Sequence, residues 1–518
     1  MKKNITFLFV VIIMLSLIAK LSGLIRESVT GYYFGAGEEL DIFYFVYSIP
    51  ELFMTGIVAA LSIAIIPTLS QKEPLFGLDN RRFIFNLVII GSIFFVFICL
   101  LAMLFSHSII GFLMRNTSDK FSYSFVYNVY LISMIQLIPT FLLGVLQSIV
   151  TKQEKYKTVT LISIPFNAFI ILSILFYSDH LGVQSIGLGM LGAVLVQVLT
   201  LWWILRKDGL NLQSYKVDFK FDSTMKNFMY LLLPVYFGTI IQRVGIFVDR
   251  TIASTLQTGS ISALSYADRL IQMVIMIVIN TIGMIMFSKI SSAKDDPSHS
   301  SEIMNKSIIF SFASILPITC YLLVYGRDII NILFNRGEFD EQALNLTTMA
   351  LCGYSIGLIG ICIRYLLNRV YFVHNNVKTP TINTIVFCIV NIVLSIILAR
   401  FFSLLGIAIA YSLTMILSSA ALVIDVHKRY KIMSSIRWGN CVKIALLSAV
   451  LLGFWMMLNM LLPNGLGSLV KIVISAISGA FLFTVMLSIV KVEGLNVMQF
   501  IRQVQRKFVR NPVRKEVM

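Results

Sequence analysis

Apolar positions dominate this chain in runs of about 20 residues, each long enough to cross the hydrocarbon core of a bilayer as a helix. About 14 such spans can be drawn, near 4–25, 40–69, 83–106, 123–150, 158–177, 184–205, 227–253, 262–288, 307–325, 343–368, 380–399, 404–425, 441–461 and 466–490. The weak alternating segments of a membrane barrel are not the pattern here. An all-α polytopic membrane protein is expected. No loop exceeds about 25 residues, which leaves no room for a folded domain outside the membrane.

Composition agrees with this pattern: 58% of the 518 residues are hydrophobic and 13% charged, with a mean hydropathy of +0.87. The net charge of +17 would suggest nucleic acid in a soluble protein, but placement decides otherwise. With both termini on one side, about 29 Lys and Arg fall there, including Lys2, Lys3, Lys72, Arg81, Arg82, Lys152, Lys155, Lys157, Arg206 and Lys207. About five fall opposite, namely Arg115, Lys120, Arg327, Arg336 and Arg400. Positive loops stay in the cytoplasm, so both termini are expected there, in a bacterial cytoplasmic membrane. The first run, though preceded by Lys2 and Lys3, lacks a small-residue cleavage site and reads as a retained helix.

The halves echo each other. GLIRE (23–27) leads through FGAGEELDIF to IAIIPTLSQK (63–72), and GIFVDR (245–250) leads through LQTGSISALSYADRL to IGMIMFSKIS (282–291). Inverted or parallel repeats of this kind build many transporters. The expected organisation is a lobe at 1–210 (spans 1–6), a second at 211–430 (spans 7–12) and two extra helices at 431–490. A basic amphipathic tail at 491–518 would lie on the cytoplasmic leaflet, with Val497, Ile501, Val504 and Phe508 on one face.

Charges within apolar runs are costly, about 2.5–3.5 kcal/mol at mid-membrane, and so mark interior cavities. Those present are Lys20, Arg26, Glu27, Asp41, Glu51, Arg243, Asp249, Arg250, Asp268, Arg269 and Arg364. Several could instead snorkel to the interface at helix ends. A guanidinium facing a cavity suits a phosphate or diphosphate, because its planar fork donates two charge-assisted hydrogen bonds. An anionic substrate follows. Enzyme motifs are scarce: the five histidines lack metal-ligand spacing, and there is no phosphate-binding loop or nucleophile elbow, so neither catalysis nor a resident cofactor is expected. The six cysteines read as small core residues. Transport would then draw on an ion gradient or the membrane potential.

AKLSGLIRE, FGAGEELDIFYFVYSIPELF and IIPTLS together resemble the opening of the MurJ/MviN lipid II flippases, within the multidrug/oligosaccharidyl-lipid/polysaccharide exporter superfamily. DRTIASTLQTGSISALSYADRLIQ (249–272), ILFNRGEFDEQAL (332–344), NRVYFVHNNVKTP (368–380) and GIAIAYSLTMIL (406–417) continue the resemblance in order. It implies two lobes around a cationic cavity, a groove for a polyprenyl tail formed by the last two helices, and movement of an undecaprenyl-diphosphate-linked precursor to the outer leaflet by alternating access. The substrate-binding set it marks is Lys20, Arg26, Asp41, Asp268 and Arg269, with Arg250 joining as a cavity cation. Sodium coupling would involve Asp249 and Asn391. Membrane lipids and cell-wall synthesis proteins are the expected partners of a monomer, with no nucleic acid.

One stretch departs from the family pattern. IPELFMTGIVAALS carries Met54 and Thr55 where family members have an arginine pair, and Glu51 where they have Asn. This leaves room for another polyprenyl-linked unit as cargo, such as a capsule, exopolysaccharide or teichoic-acid-like glycan. A cation/drug antiporter would want an acidic cavity, and a glycan polymerase or ligase a catalytic external loop.

Overall fold

Backbone N–H and C=O groups in a bilayer must be satisfied within the segment, which for apolar runs of this length means helices. The computed structural model bears this out over the residues it describes, 2–70, 75–114, 123–210, 223–293, 296–374, 376–432, 437–463, 467–490 and 492. Among them the regular elements are helical, and no strand occurs. The expected amphipathic tail lies outside the described residues apart from Val492, as do Lys72, Arg115 and Lys120.

The first half runs α1 (Lys2–Phe34), α2 (Glu38–Ser70), α3 (Leu78–Leu104), α4 (Ser106–Met114), α5 (Tyr123–Ile135), α6 (Leu137–Lys152), α7 (Tyr156–Leu161), α8 (Ser163–Leu181) and α9 (Gln184–Lys207). The second runs α10 (Ser223–Ala253), α11 (Ser260–Val274), a π-helical turn at Ile275–Ile279, α12 (Asn280–Ser292), α13 (Pro297–Phe334), α14 (Glu341–Ile356), α15 (Leu358–Val373), α16 (Lys378–Tyr430), α17 (Trp438–Leu461) and α18 (Ser468–Val490). The expected apolar runs fall on these helices, some on one and others, such as 123–150, 262–288 and 343–368, across consecutive elements.

Eleven helices among the described residues are long and apolar enough to cross a membrane, or twelve if α14 and α15, bent by 44°, form one span. That count does not by itself reach 14. However, α16 has 53 residues, and a straight helix of that length would measure about 80 Å, more than twice the hydrocarbon core. It breaks at Ser403, with φ 49° and ψ −131°. At Gly406 an added Cβ would lie 2.1 Å from the Leu398 carbonyl oxygen, so the returning arm passes its own outgoing backbone at glycine distance. The runs expected at 380–399 and 404–425 are the two arms of this hairpin.

The chain divides into two compact units. Unit 1 comprises Met1–Tyr266 and Phe334–Leu346. Its centre is α2, whose Leu40, Phe43, Leu61 and Ile65 are fully buried. Small residues let neighbours approach: a Cβ at Gly144 of α6 would touch Leu61 at 2.7 Å, and one at Gly189 of α9 would meet Ser173 of α8 at 2.8 Å. Hydroxyls add interhelical bonds, between Ser62 and Ser148 at 3.0 Å and from Ser173 to the Ser185 carbonyl at 2.8 Å.

Unit 2 comprises Ala267–Leu333 and Thr347–Met518. There the α17 indole of Trp455 donates to the Ser475 carbonyl of α18 at 2.9 Å and covers Gly479. Tyr321 of α13 donates to the Ile472 carbonyl at 2.8 Å, tying the last helix to the body of the unit. Outside the membrane-spanning part, Asp296 opens α13 by accepting from the Ser298 hydroxyl at 2.6 Å and the His299 N–H at 3.0 Å. The hydroxyl bond above all holds this carboxyl below its usual range. All six cysteines are free.

Candidate functional site: a charged network in unit 1

Helix α1 runs unbroken past its apolar stretch to Phe34, so Arg26 and Glu27 sit within it rather than at its end. The two side chains pair directly, with Glu27 buried. Asn167, the one amide in an otherwise apolar face of α8, accepts from Arg26 at 3.2 Å and donates to Ser22 at 2.9 Å. Arg26 is therefore gripped from two sides. Tyr44 of α2 donates to the other Glu27 oxygen at 3.4 Å.

Tyr44 also links α1 to α10. Arg250 donates to the Tyr44 carbonyl at 3.1 Å, and its guanidinium carbon stands 6.0 Å from that ring's centroid. The facing side of α10 is legible in its spacing: Tyr236, Thr239, Arg243, Phe247 and Arg250 recur at three- and four-residue steps, as one helical face requires. Tyr236 donates to the Phe53 carbonyl at 3.0 Å, Thr239 fills the space over Gly56, and Phe247 stacks on Phe45 at 6.1 Å. This order makes α2 and α10 antiparallel.

In the middle of that contact lies Glu51, next to the helix-interior Pro50. One of its oxygens meets Arg250 at 2.9 Å and the other meets Arg243 at 3.5 Å. Two guanidiniums share a single carboxylate, leaving the cluster with an excess of positive charge. Its side chains are 21% exposed at Glu51, 32% at Arg243 and 13% at Arg250, against 5% at Glu27. Of the two carboxylates Glu27 is the more buried and Glu51 the more accessible, while Arg26, at 12%, is exposed to the same degree as Arg250.

Asp41 has a different setting. Its two oxygens accept from the Gly259 N–H at 2.7 Å and from both the N–H and hydroxyl of Ser262 at 2.6 Å. A carboxylate placed there caps the start of α11 and meets the positive end of its dipole. Beside it, the FGAG turn receives the RGEFD turn. Gly35 (φ +56°) leaves no room for a Cβ, which would lie 2.2 Å from the Glu338 carbonyl oxygen, and Gly337 (φ +63°) is equally tight against that of Tyr32. Gly259 (φ +89°) packs on Ala36 in the same manner. Glu338 donates its N–H to the Tyr32 carbonyl at 2.9 Å, and buried Tyr266 donates to that of Gly35 at 2.8 Å. A cavity of about 470 Å³ opens here, lined by Glu38, Glu39, Glu338 and Asp340 among others.

Of the expected site residues, Arg26, Asp41, Asp249 and Arg250 lie in unit 1, as does the exposed Lys20, while Asp268, Arg269 and Asn391 lie in unit 2. Asp249 and Asn391 are buried. Asp268 accepts from Gln272 at 3.2 Å, and Arg269 is exposed. In unit 2, Arg364 donates to Thr384 at 2.8 Å and approaches the Met415 sulfur at 3.5 Å. Met54 is buried and Thr55 exposed, so the departing stretch presents one apolar and one small polar side chain. Sequence reasoning missed Asn167, whose signal was a lone amide inside the run at 158–177. It also left Glu51 and Arg243 outside the binding set, though their charges were visible.

A family model described as lipid II flippase MurJ matches residues 30–475. The chain belongs to the MurJ family. It is similar to the probable lipid II flippase MurJ of Aquifex aeolicus, with 24% identity over 458 residues, covering 86% of this chain and 88% of the relative. The corresponding protein of Thermotoga maritima is 23% identical over 482 residues, covering 92% and 95%. Among solved structures, one described as lipid II flippase MurJ in an inward closed conformation superposes with a TM-score of 0.79 at 21% identity, covering 93% of this chain and 99% of that one. An inward-facing MATE-family multidrug transporter of the MOP superfamily reaches 0.69 at 12% identity, covering 82% and 99%. The fold is that of these transporters, and the chain is a multi-pass membrane protein. Within the MurJ match fall Asp41, Glu51, Arg243 and Arg250, while Lys20 and Arg26 stand just ahead of its start.

Proposed function

We propose that this chain moves an undecaprenyl-diphosphate-linked cell-wall precursor, lipid II or a related lipid-linked glycan, from the inner to the outer leaflet by alternating access. The observation that carries this reading is the network of Arg26, Arg243 and Arg250 on membrane-spanning helices of a MurJ-family chain, with positive charge in excess at Glu51. Guanidiniums that are partly desolvated bind phosphate oxygens in a bidentate, charge-assisted manner. The chain performs no covalent chemistry in this scheme. The protein sits in the bacterial cytoplasmic membrane with both termini inside, two extra helices at 431–490 flank the polyprenyl tail, and the substrate set is Lys20, Arg26, Arg250, Asp268 and Arg269. Asp41 contributes by fixing α11. Energy comes from the membrane potential or from sodium held near Asp249 and Asn391.

Met54 and Thr55 favour a second reading, in which the cargo is another polyprenyl-linked unit, because the cavity then lacks two cations. A cation/drug antiporter is disfavoured by the arginine surplus. The deciding experiment expresses the chain in a strain depleted of its flippase and measures outer-leaflet lipid II. Restoration by the unaltered chain, and its loss in Arg26→Ala and Arg250→Ala at equal protein levels, is expected. Full activity of both variants would sink the reading.

A further inference from the structure

The carboxylate of Glu51 touches two guanidiniums on one face of α10, one oxygen to each. Arg243 and Arg250 stand at positions i and i+7, two turns apart, so a group that bridges them must offer separate acceptor oxygens. Glu51 does so with its two oxygens. A diphosphate, with more oxygens and at least two negative charges, would do so better and would also neutralise the excess positive charge.

We propose that Glu51 is an internal stand-in for the substrate's diphosphate, occupying an anion site formed by Arg243 and Arg250 until the lipid-linked diphosphate displaces it. This rests on the flippase reading and adds to it the subsite, its second arginine and its competitor. Three observations support the exchange. Glu51 is partly exposed, so an incoming ligand can reach it, unlike Glu27. Its side chain is long and has several rotatable bonds, so it can swing aside, whereas Asp41 is fixed by three donors. Arg250 is also oriented by the Tyr44 carbonyl and stays aimed at the site when Glu51 leaves. An internal competitor weakens binding and speeds release, as a carrier must do to turn over.

The test uses the full chain in nanodiscs, with farnesyl diphosphate and inorganic diphosphate as separate calorimetric probes. Glu51→Gln keeps the shape and removes the charge, and should tighten farnesyl diphosphate binding about tenfold. Adding Arg250→Gln should abolish the gain, which a purely structural role for Glu51 would not require. Equal or weaker binding by Glu51→Gln, a gain that survives Arg250→Gln, or no binding by either form would overturn the proposal. So would a gain confined to inorganic diphosphate, which would assign the site to a free anion. The outcome is independent of the lipid II assay: a chain that fails to restore lipid II flipping but shows the Arg250-dependent gain refutes the cargo and upholds the subsite.

Discussion

Two acidic residues of α2 do opposite jobs in unit 1. Asp41 is buried and takes three hydrogen bonds from the start of α11, while Glu51 is accessible and shared by two arginines. Losing Asp41 leaves two backbone donors and a hydroxyl buried without it, and an unsatisfied buried group costs about 1–3 kcal/mol. Asp41→Ala should therefore lower the melting temperature of the purified protein by several degrees. An unchanged transition would show that α11 does not depend on this cap. At this scale the sequence was informative about which charges matter and silent about their partners. Arg26, Glu27 and Arg250 stood out because a charge in an apolar run is expensive. Asn167 and Tyr44 did not, because an amide or phenol becomes a clamp only when another helix brings it within reach. The donors that meet Asp41 were not legible either, because they belong to residues more than 200 positions away.

The helices themselves were legible, since apolar length is all that a membrane span needs, and the α16 hairpin was visible as two runs with a break between them. The docking of the FGAG and RGEFD turns was not legible, because it depends on clearance at Gly35, Gly259 and Gly337 that only the folded chain reveals. At Gly337 the positive φ and the 2.2 Å approach to the Tyr32 carbonyl act together. Gly337→Ala should destabilise unit 1 by about 2–4 kcal/mol, combining left-handed strain with the displaced turn. Limited proteolysis should then cut near the 335–340 turn, and a resistant variant would contradict this packing. A control such as Gly111→Ala, which has open space around it, should be neutral.

For the whole molecule, the proposed cargo carries negative charge outward, along a potential that is negative inside. Each net charge moved gains up to about 2.3 kcal/mol per 100 mV. Dissipating the potential in proteoliposomes should slow translocation markedly, and an unaffected rate would point to sodium or another gradient instead. The total charge and its loop asymmetry were plain in the sequence. Two lobes were expected, at 1–210 and 211–430; that compact unit 1 also takes up α10 and the 334–346 segment was not legible, because those contacts join residues far apart along the chain.

That last feature bears on how the protein is made. Residues at the RGEFD turn close over the end of α1, yet a ribosome delivers them only after many later helices have entered the membrane. Until then the end of α1, Tyr266 and the Gly259 turn wait without their cover. Unit 1 is thus inserted early and finished late. Any chain truncated before residue 334 would carry Arg26, Arg243 and Arg250 and still lack the turn that closes over the end of α1.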